Sequence, residues 1–593
     1  MTQYIEEKYQ IINKKIYSKK NRNNNSVIKK KIRIAILGGS TTALIKESLS
    51  NYLNVNDNEA VFFESEYNQF YFESIKPSVK LKKFKPQIIY IHSTSANIDE
   101  YPSIGCKNKD VEKIINREIN KYKSIWNNLT KEFNCTIIQN NFEYLPFSSL
   151  GNLESTKGYG KINFLNKINL KFFEESDKRK NLIINDINLL SAKIGLDEWR
   201  DDSFYFNYKY AISHKAIPIL AHSLLKIIIS IIGKTKKCLV VDFDNTLWGE
   251  VVGEVGSNNI KIGNDSPVGE IFLRFQKYIH ELTKKGIILA GCTKNDYKNA
   301  ISGLKNKSCI LKENDFSVIK ANWKSKAENI KEISKQLNIG LDTLVFIDDS
   351  KFERELVKNQ LPMVEVPDIG EDPEKYIFHL DRAKYFESIN LSKEDLIRSS
   401  YYKTNIKRES EKVKYNNYNS YLSSLKMETS FKKFEKKNIN RITQLINKTN
   451  QFNLTTKRLR TEEVIKISKA SSFLTISGDL KDKFGDNGLV TTLIAKKKDK
   501  SLEILIWLMS CRVFSRNLEY AMFDYLVKLC KKNNISYIYG NYIKSEKNLI
   551  VKDFFKTLGF KKVSNNKNNT KWNFRINNNY INKNKIIKIN NEK

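Results

Sequence analysis

Several features of secreted and membrane proteins are missing from this sequence. It has no Cys-x-x-Cys pair, and its seven cysteines are scattered at positions 106, 135, 238, 292, 309, 511 and 530. An odd number of widely spaced cysteines argues against a disulfide framework and against a structural zinc site. It favours a reducing compartment. The N-terminal residues also lack the apolar segment of a secretory signal.

Long hydrophobic runs are missing as well. The richest one, residues 216–233, is interrupted by Pro218, His222 and Lys226, so it falls short of the roughly 18–20 apolar residues that span a membrane. We therefore expect a soluble, cytoplasmic protein without a membrane span.

Acidic residues are too few to balance the basic ones, and the formal net charge is +36. Clustered lysines and arginines bind nucleic acids by displacing counterions from phosphate backbones. Here the lysines are spread over the whole chain among many Asn and Ile residues, which indicates a compositional bias. Nucleic-acid binding is therefore not expected as the main function, whereas the charge favours an anionic substrate or an acidic protein partner.

The length of 593 residues predicts about three to four domains. Residues 1–30 form a polar, basic arm. Strands alternate with helical stretches from residue 31 to 233, which is typical of a parallel sheet covered by helices. The strands are expected at residues 32–37, 60–65, 87–93, 135–140 and 182–188.

A second α/β domain is expected over residues 234–390, with strands at 238–243, 287–292, 309–312, 344–348 and 363–366. Residues 391–430 are polar and helical, typical of a connector. Residues 431–563 change to a helix, strands and a helix, which indicates an α+β domain. The tail, residues 564–593, is rich in Asn and Lys, and we expect it to be partly disordered.

Four segments of the second α/β domain carry chemically active residues near predicted strand ends. They are "DFDNT" (242–246), "GCTKND" (291–296), "NWKSK" (322–326) and "FIDDSKFERE" (346–355). The carboxyl ends of parallel strands meet at one crevice, so these side chains can surround one ligand. Carboxylates suit Mg²⁺, while a Thr hydroxyl and a Lys ammonium suit phosphoryl oxygens.

This constellation resembles the haloacid dehalogenase-like (HAD) superfamily of phosphatases, whose first motif is Asp-x-Asp-x-Thr. The resemblance implies that Asp242 is the nucleophile and that Asp244 is the general acid/base. It also implies phosphate contacts from Thr293 and Lys326. The implied Mg²⁺ ligands are Asp242, Asp244, Asp348 and Asp349, although Asp349 could instead only orient Asp348.

The longer strings "DFDNTLWGEVVGEVG" and "IGLDTLVFIDDSKFERELVKNQ" resemble FkbH-like proteins, a HAD-IIIC type branch. That branch is associated with taking a glyceryl unit from 1,3-bisphosphoglycerate, removing phosphate and loading the acyl group on the phosphopantetheine arm of an acyl carrier protein. Such chemistry can use a thiol near the phosphate site, and Cys292 precedes Thr293. The alternative is that Cys292 is a small buried strand residue.

The segment "ILGGSTT" (36–42) resembles the first block of SGNH-type hydrolases, and Ser40 stands at the nucleophile position. The family's Asp-x-x-His block here reads "DEWR", with Arg200 in place of the histidine. His214 could substitute or be structural. We expect an SGNH-like scaffold with weak or no hydrolase activity.

Residues 482–560 resemble GNAT-type acyltransferases. The phosphate-binding loop of that family is Arg/Gln-x-x-Gly-x-Gly/Ala, and here Ser515 and Asn517 replace the two glycines. By resemblance, Arg512 and Arg516 would contact the phosphate of CoA or of a pantetheine arm. Cys511 is a second candidate thiol, or else a buried strand residue.

Three functions remain open from the sequence. The first is a Mg²⁺-dependent HAD enzyme that dephosphorylates a three-carbon donor and transfers its acyl unit to a carrier protein. The second is a phosphatase on a small phosphorylated metabolite without acyl transfer. The third is a non-catalytic scaffold for a carrier protein or nucleic acid, which the complete motif set disfavours.

Overall fold

The structure is a computed structural model that describes residues 31–590 except 57, 392, 397, 413, 546–547, 567–568 and 578. The basic arm predicted for residues 1–30 lies outside the described residues. The chain divides into two compact units, Met1–Ile229 and Ser230–Lys593.

The first unit is built on a five-stranded sheet whose paired strands are all parallel. Its order is β2-β1-β3-β4-β5, and the strands are β1 (Ile32–Gly38), β2 (Ala60–Glu64), β3 (Ile88–His92), β4 (Thr136–Asn140) and β5 (Leu182–Asn185). The helices are α1 (Ala43–Val55), α2 (Phe70–Ile75), α3 (Val79–Phe84), α4 (Asn108–Phe133), α5 (Leu153–Thr156), α6 (Lys161–Lys178), α7 (Ile187–Ile194), α8 (Leu196–Trp199), α9 (Asp202–Tyr208) and α10 (Ile217–Ile231). The parallel sheet expected for this region is confirmed.

The long helix α4 shows why the helices pack on the sheet. Its buried residues Val111, Ile115, Tyr122 and Trp126 recur at three- to four-residue intervals, so they form one apolar stripe. That stripe joins the apolar strand residues in a single core cluster.

The second unit begins with a four-stranded parallel sheet of order β8-β7-β6-β9. Its strands are β6 (Cys238–Val241), β7 (Ile288–Thr293), β8 (Val318–Ala321) and β9 (Leu344–Ile347). The helices are α11 (Val252–Val255), α12 (Pro267–Lys284), α13 (Tyr297–Leu304), α14 (Lys326–Leu337), α15 (Lys351–Gln360) and α16 (Tyr376–Ala383). Side chains of β6 alternate between two core clusters, one on each face, as expected for a strand buried on both sides.

Two strand predictions in this sheet were wrong. Residues 309–312 are not a strand, because the backbone N–H groups of Ile310 and Leu311 bond to Gln276 Oε1 on α12, at 2.9 and 3.0 Å. The neighbouring strand is β8 instead. Residues 363–366 contribute one isolated bridge, between Glu365 and Val345.

The remainder of the second unit starts with helices α17 (Lys393–Leu396), α18 (Arg398–Lys412) and α19 (Tyr418–Ser424). A nine-stranded sheet follows, with the path β16-β17-β15-β14-β13-β12-β10-β18 and with β11 paired to β12. Its strands are β10 (Glu428–Thr429), β11 (Phe431–Lys432), β12 (Phe473–Asp482), β13 (Gly485–Lys498), β14 (Ser501–Met509), β15 (Tyr537–Ile543), β16 (Lys561–Asn566), β17 (Asn569–Arg575) and β18 (Lys588–Ile589). The accompanying helices are α20 (Ile439–Lys448), α21 (Thr461–Lys469), α22 (Leu518–Lys532) and α23 (Phe554–Thr557).

The segment predicted as a disordered tail contains strands. β17 pairs antiparallel with β15 along its whole length. Trp572 is buried and Phe574 packs against the same core cluster, so an alternating apolar pattern was hidden among the asparagines. The structure confirms a multidomain α/β protein whose C-terminal part is α+β. Within the described residues, no helix is both long and apolar enough to cross a membrane.

Candidate active site

The candidate site lies at the carboxyl ends of β6, β7 and β9. Val241 of β6 pairs with Ile347 of β9, so Asp242 and Asp348, the next residues of the two strands, are neighbours. The Asp242 N–H donates to Ile347 O at 3.1 Å. The parallel register itself therefore brings two carboxylates together, as expected for a crevice at parallel strand ends.

Three carboxylates and one ammonium form the centre of the site. One oxygen each of Asp242, Asp348 and Asp349 lies within 4.8 Å of the other two. Lys326 Nζ lies 3.0 Å from Asp242 Oδ1 and also bonds to Asp348 Oδ2. Lys326 is the first residue of α14, whose N-terminus is capped by Ser325, and this cap fixes where the lysine enters the site.

The charges in this centre do not balance. Burial raises the pKa of Asp242 and of Asp348, while Lys326 acts in the opposite direction. Burial alone would lower the pKa of Lys326, but Asp242 and Asp348 raise it. With one cation among three carboxylates, the ionised site carries a net charge of about −2. Oxygen ligands and this deficit of positive charge fit a divalent cation.

Asp349 and the backbone around it are held from two sides. Thr246 Oγ donates to Asp349 Oδ1 at 3.2 Å, which links the end of the first motif to the last. Arg354 is buried, and its Nη1 donates to the carbonyl oxygens of Asp348 and Asp349 at 2.9 and 2.6 Å. The arginine therefore positions both aspartates without being a ligand of the centre.

Asp244 is placed differently from its predicted role as a metal ligand. Its Oδ1 accepts from Trp248 Nε1 and from the Val252 N–H, each at 3.0 Å. Its Oδ2 accepts from Asn295 Nδ2 at 2.9 Å. The carboxylate is half-buried and is not part of the three-carboxylate cluster. The Asp244 side chain therefore does not join the three carboxylates, and its role in proton transfer stays a prediction.

The two candidates on β7 have different surroundings. Thr293 ends the strand and is buried, next in sequence to Lys294, which bonds Glu353 at 2.6 Å. Cys292 is fully buried in the apolar cluster that contains Val240 and Phe346. Burial raises the pKa of the Cys292 thiol, which disfavours the thiolate there. Its position fits the alternative of a small buried strand residue, and the covalent role of Cys292 stays a prediction.

Three residues that shape the site were not singled out from the sequence. Trp248 follows Asp244 by four residues and Asn295 follows Thr293 by two, so both lay inside the motif segments. Arg354 lies near the start of α15, where a helical turn can return a side chain to the preceding strand end. The available sequence signal is that all three residues carry hydrogen-bond donors and lie within a few residues of a motif aspartate or threonine.

The first unit does not assemble the hydrolase set considered from the sequence. Ser40 is buried, and its hydroxyl has no hydrogen-bond partner among the described residues. His214 is exposed, with its ring 6.3 Å from that of Phe204. Arg200 pairs with Asp202 at 2.8 Å. No base therefore activates Ser40 within the described part of the chain.

The two arginines predicted to bind phosphate in the C-terminal part also differ. Arg516 is committed to protein acceptors, with Nη1 3.1 Å from Asp482 and Nη2 2.6 Å from Asn405 Oδ1. These contacts give Arg516 a structural role, and its contact with phosphate stays a prediction. Arg512 lies over the ring of Tyr401, at 4.3 Å, and its contact with phosphate stays a prediction. Cys511 is partly exposed.

Comparison with known proteins gives a family match within the first unit and a match to a solved structure. The model of the FkbH N-terminal domain family matches residues 33–229. The N-terminal part of protein BF1531 from Bacteroides fragilis, which contains a phosphatase domain and was crystallised with Mg, is 30% identical. The alignment covers 62% of this chain and 97% of that chain, with a TM-score of 0.58.

Other matches are weaker. The PaiA N-acetyltransferase from Thermoplasma acidophilum, solved with coenzyme A, is 11% identical over 25% of this chain and 99% of that chain, and its TM-score of 0.21 is too low to support an argument. No curated protein matches this chain. The identity to the Bacteroides fragilis protein over nearly all of that structure shows that the chain belongs to the same family as that phosphatase-domain protein, and residues 33–229 match the FkbH N-terminal domain.

Proposed function

We propose that the protein is a Mg²⁺-dependent enzyme that dephosphorylates a phosphorylated three-carbon donor such as 1,3-bisphosphoglycerate and passes its glyceryl unit to an acyl carrier protein. Pathways for secondary metabolites or surface polysaccharides use such units. The observation that carries the phosphatase part is the cluster of Asp242, Asp348 and Asp349 around Lys326. The HAD-like phosphatase domain of the family is the basis for the rest.

The dephosphorylation has two displacements. A carboxylate oxygen of Asp242 forms a bond to phosphorus while the bond from phosphorus to the leaving oxygen breaks, and Asp244 gives that oxygen a proton. Water then attacks phosphorus, the bond to Asp242 breaks, and Asp244 takes the proton from water. The donors at Trp248, Val252 and Asn295 hold the Asp244 carboxylate in place for both transfers.

The carboxylates of Asp242, Asp348 and Asp349 would hold Mg²⁺, the ion present in the related Bacteroides fragilis structure. A bound Mg²⁺ supplies the positive charge that attack of a carboxylate on an anionic phosphate requires. Lys326 supplies part of that charge from the protein and orients Asp242 and Asp348.

The acyl transfer is proposed to go directly to the carrier, because Cys292 is buried in the apolar core. The carrier thiol loses its proton to solvent, and its sulfur attacks the carbonyl carbon of the acyl phosphate. The bond from that carbon to the phosphate oxygen breaks, and phosphate leaves with the electron pair. Hydrolysis of the remaining phosphate monoester on Asp242 would release a second phosphate for each glyceryl group loaded.

Exposed aromatic side chains near the motifs favour a protein-borne acceptor. Trp323 is 71% exposed and lies three residues before Lys326. Tyr297 is 51% exposed and lies four residues after Thr293. Phe352 is 70% exposed and lies three residues after Asp349. The adjacent lysines Lys298, Lys324 and Lys351 are exposed as well. Aromatic residues with surrounding positive charge suit an acidic partner protein.

A phosphatase without acyl transfer is the second candidate, and the burial of Cys292 favours it because the domain then has no thiol of its own at the site. One experiment separates the two: the enzyme is incubated with Mg²⁺, 1,3-bisphosphoglycerate and candidate carrier proteins. Phosphate release is measured together with the intact mass of each carrier.

Transfer predicts a glyceryl mass on a carrier, two phosphates per loaded carrier, and loading that persists in Cys292→Ala. Phosphate release without loading supports the second candidate. The matched control is Asp242→Asn, which should stop hydrolysis of the monoester. No phosphate release from any phosphorylated compound would contradict both.

A further inference from the structure

A cluster of one buried and two half-buried cations lies away from the phosphatase residues, where α18, the end of α20 and the turn after β14 meet. It consists of Arg398, Lys448 and Arg512, and we call it the basic cluster. Arg398 and Lys448 share one acidic partner: Arg398 Nη2 bonds to Asp395 Oδ1, and Lys448 Nζ lies 3.3 Å from Asp395 Oδ2. Arg512 joins the cluster through Tyr401, one helical turn after Arg398, over whose ring its guanidinium lies at 4.3 Å.

The turn that carries Arg512 is fixed by the connector and by α14. Asn338 Nδ2 donates to Cys511 O at 3.0 Å, and Asn405 Nδ2 donates to Arg512 O at 3.3 Å. The Tyr402 hydroxyl lies 3.7 Å from Cys511 Sγ. The backbone carbonyl groups of the turn thus accept hydrogen bonds from protein side chains. The guanidinium of Arg512 is the group of this turn that still needs an acceptor.

The guanidinium of Arg512 is incompletely satisfied by the protein. Arg512 is only 7% exposed, and its Nη1 has no hydrogen-bond acceptor among the described residues. A buried charged donor without an acceptor is costly, so such groups in proteins normally face a counter-ion or a ligand.

The cluster as a whole also has too much positive charge. Asp395 is the carboxylate that bonds Arg398 and Lys448. Arg441 and Lys237 also act on Lys448 as positive charges, so positive charge exceeds negative charge around the cluster. Burial and then the neighbouring cations, Arg398 first among them, lower the pKa of Lys448 to about 7. An anion bound here would reverse that effect and keep Lys448 charged.

We propose that the basic cluster is a binding site for a phosphate-type dianion, separate from the phosphatase centre. Two guanidinium groups offer planar pairs of donors that match phosphate oxygens, and the ammonium adds a third contact. A dianion neutralises the net charge that Asp395 leaves. The site is independent of the proposed acyl transfer, since none of its residues belongs to the three-carboxylate cluster.

Cys511 provides a local reporter of occupancy. Of the seven cysteines, only Cys106 and Cys511 are not buried, and Cys106 lies in the other unit, so it serves as an internal control. The full-length protein is alkylated with anionic iodoacetate or neutral iodoacetamide, and the modification of each cysteine is followed by peptide mass spectrometry. This readout is unaffected by phosphate bound at the phosphatase centre.

The rate with iodoacetate relative to iodoacetamide should be on the order of tenfold higher at Cys511 than at Cys106, because the cluster concentrates anions. Inorganic phosphate and glycerol 3-phosphate should each slow iodoacetate at Cys511 and leave Cys106 unchanged. Equal protection by inorganic phosphate and glycerol 3-phosphate indicates that the site recognises the phosphate group alone. Stronger protection by glycerol 3-phosphate indicates that the ligand is a phosphorylated metabolite. Acetate should protect much less.

Arg512→Gln should remove both the preference and the protection, while Arg575→Gln, which alters an exposed arginine of the same sheet, should change neither. Lys448→Met is the second test variant if Arg512→Gln does not fold. Equal reactivity ratios at the two cysteines, protection by acetate as strong as by phosphate, or an unchanged response in both test variants would overturn the proposal.

Discussion

The two parallel sheets of this protein have similar architecture and different chemistry at their carboxyl ends. In the first unit the strand ends carry mainly neutral polar groups that bond to one another. His92 Nδ1 lies 2.9 Å from the Tyr90 hydroxyl, and Asn185 Nδ2 donates to Asn140 Oδ1 at 2.9 Å. Burial lowers the pKa of His92 to about 4, so this histidine stays neutral.

In the second unit the equivalent edge carries three carboxylates and one lysine with a net negative charge. The first unit has one buried carboxyl near its strand ends, Glu143, whose pKa burial raises to about 7 and which bonds Ser95. The difference teaches that parallel strands provide a crevice, whereas the charged groups at their ends decide which chemistry that crevice suits. The predictions below test this contrast.

The largest effect is expected from Asp242→Asn, which removes the attacking charge and one metal ligand. Phosphate release should fall by at least about 10³-fold, since a nucleophile acts mainly in the transition state. Thermal unfolding should stay cooperative. Asp265→Asn, a change of the same kind at an exposed position, is the control. Near-normal turnover in Asp242→Asn would contradict the role of Asp242 as the nucleophile.

A smaller effect is expected from Arg354→Met. The variant loses the donors that hold the carbonyl groups of Asp348 and Asp349, so activity should fall roughly 10–100-fold and more Mg²⁺ should be needed. Arg354→Lys should recover part of the loss, because one donor returns. Lys358→Met on the same helix is the control. A loss that added Mg²⁺ does not change would argue against a positioning role.

Metal removal should make stability depend on pH. Burial raises the pKa of Asp348 to about 8, with the charge of Asp242 as the next cause, and an unfolded Asp titrates near about 4. A raised carboxyl pKa stabilises the fold at low pH, and this contribution is lost as pH rises through the folded value. The free energy of unfolding of the metal-free protein should therefore decrease from about pH 4 to about pH 8.

Mg²⁺ binds the ionised carboxylates, so its stabilising effect should be larger near pH 8 than near pH 5. The raised pKa of Lys326 adds no slope in this range, because the lysine is protonated in both the folded and the unfolded states. Denaturant titrations with and without Mg²⁺ measure both trends, with Asp242→Asn as the variant that should flatten them. An equal effect of Mg²⁺ at both pH values would contradict the assignment of the cluster.

The smallest effect is expected from Ser40→Ala in the first unit. A hydroxyl without a base is not nucleophilic, so phosphate release should remain unchanged and a fluorophosphonate probe should not label Ser40. Labelling of Ser40 would show that the first unit has a hydrolase centre of its own.

Much of the fold and of the phosphatase centre was predictable from the sequence, because strand-end motifs depend on local order along the chain. Asp242, Lys326, Asp348 and Asp349 were all identified, and parallel register then brought them together. The role of Cys292 could not be predicted in the same way. Alternation along β7 decides which face of the sheet a side chain occupies, and Cys292 lies on the face that contacts the apolar cluster.

Other features depended on distant partners. The side chain of Gln276 satisfies residues 310 and 311 and so replaces a predicted strand by a loop. The guanidinium of Arg516 bonds to Asp482 and Asn405, although its position in the sequence suggested that it binds a phosphate group. In the C-terminal segment, Asn-rich composition masked the alternation around Trp572, because composition does not report strand pairing.

The central claim is that Asp242 becomes phosphorylated, and the most direct test is to trap that species. Asp244→Asn removes the acid of the first displacement and the base of the second. The acyl phosphate of 1,3-bisphosphoglycerate leaves as a carboxylate that needs no proton, so Asp242 should still be phosphorylated while hydrolysis of the phosphoenzyme slows. This variant, mixed with Mg²⁺ and 1,3-bisphosphoglycerate and quenched in acid, should carry one phosphoryl group on the peptide that contains Asp242 by mass spectrometry. Phosphate release from the wild-type protein with no phosphorylated peptide, or with phosphate on another residue, would contradict the account.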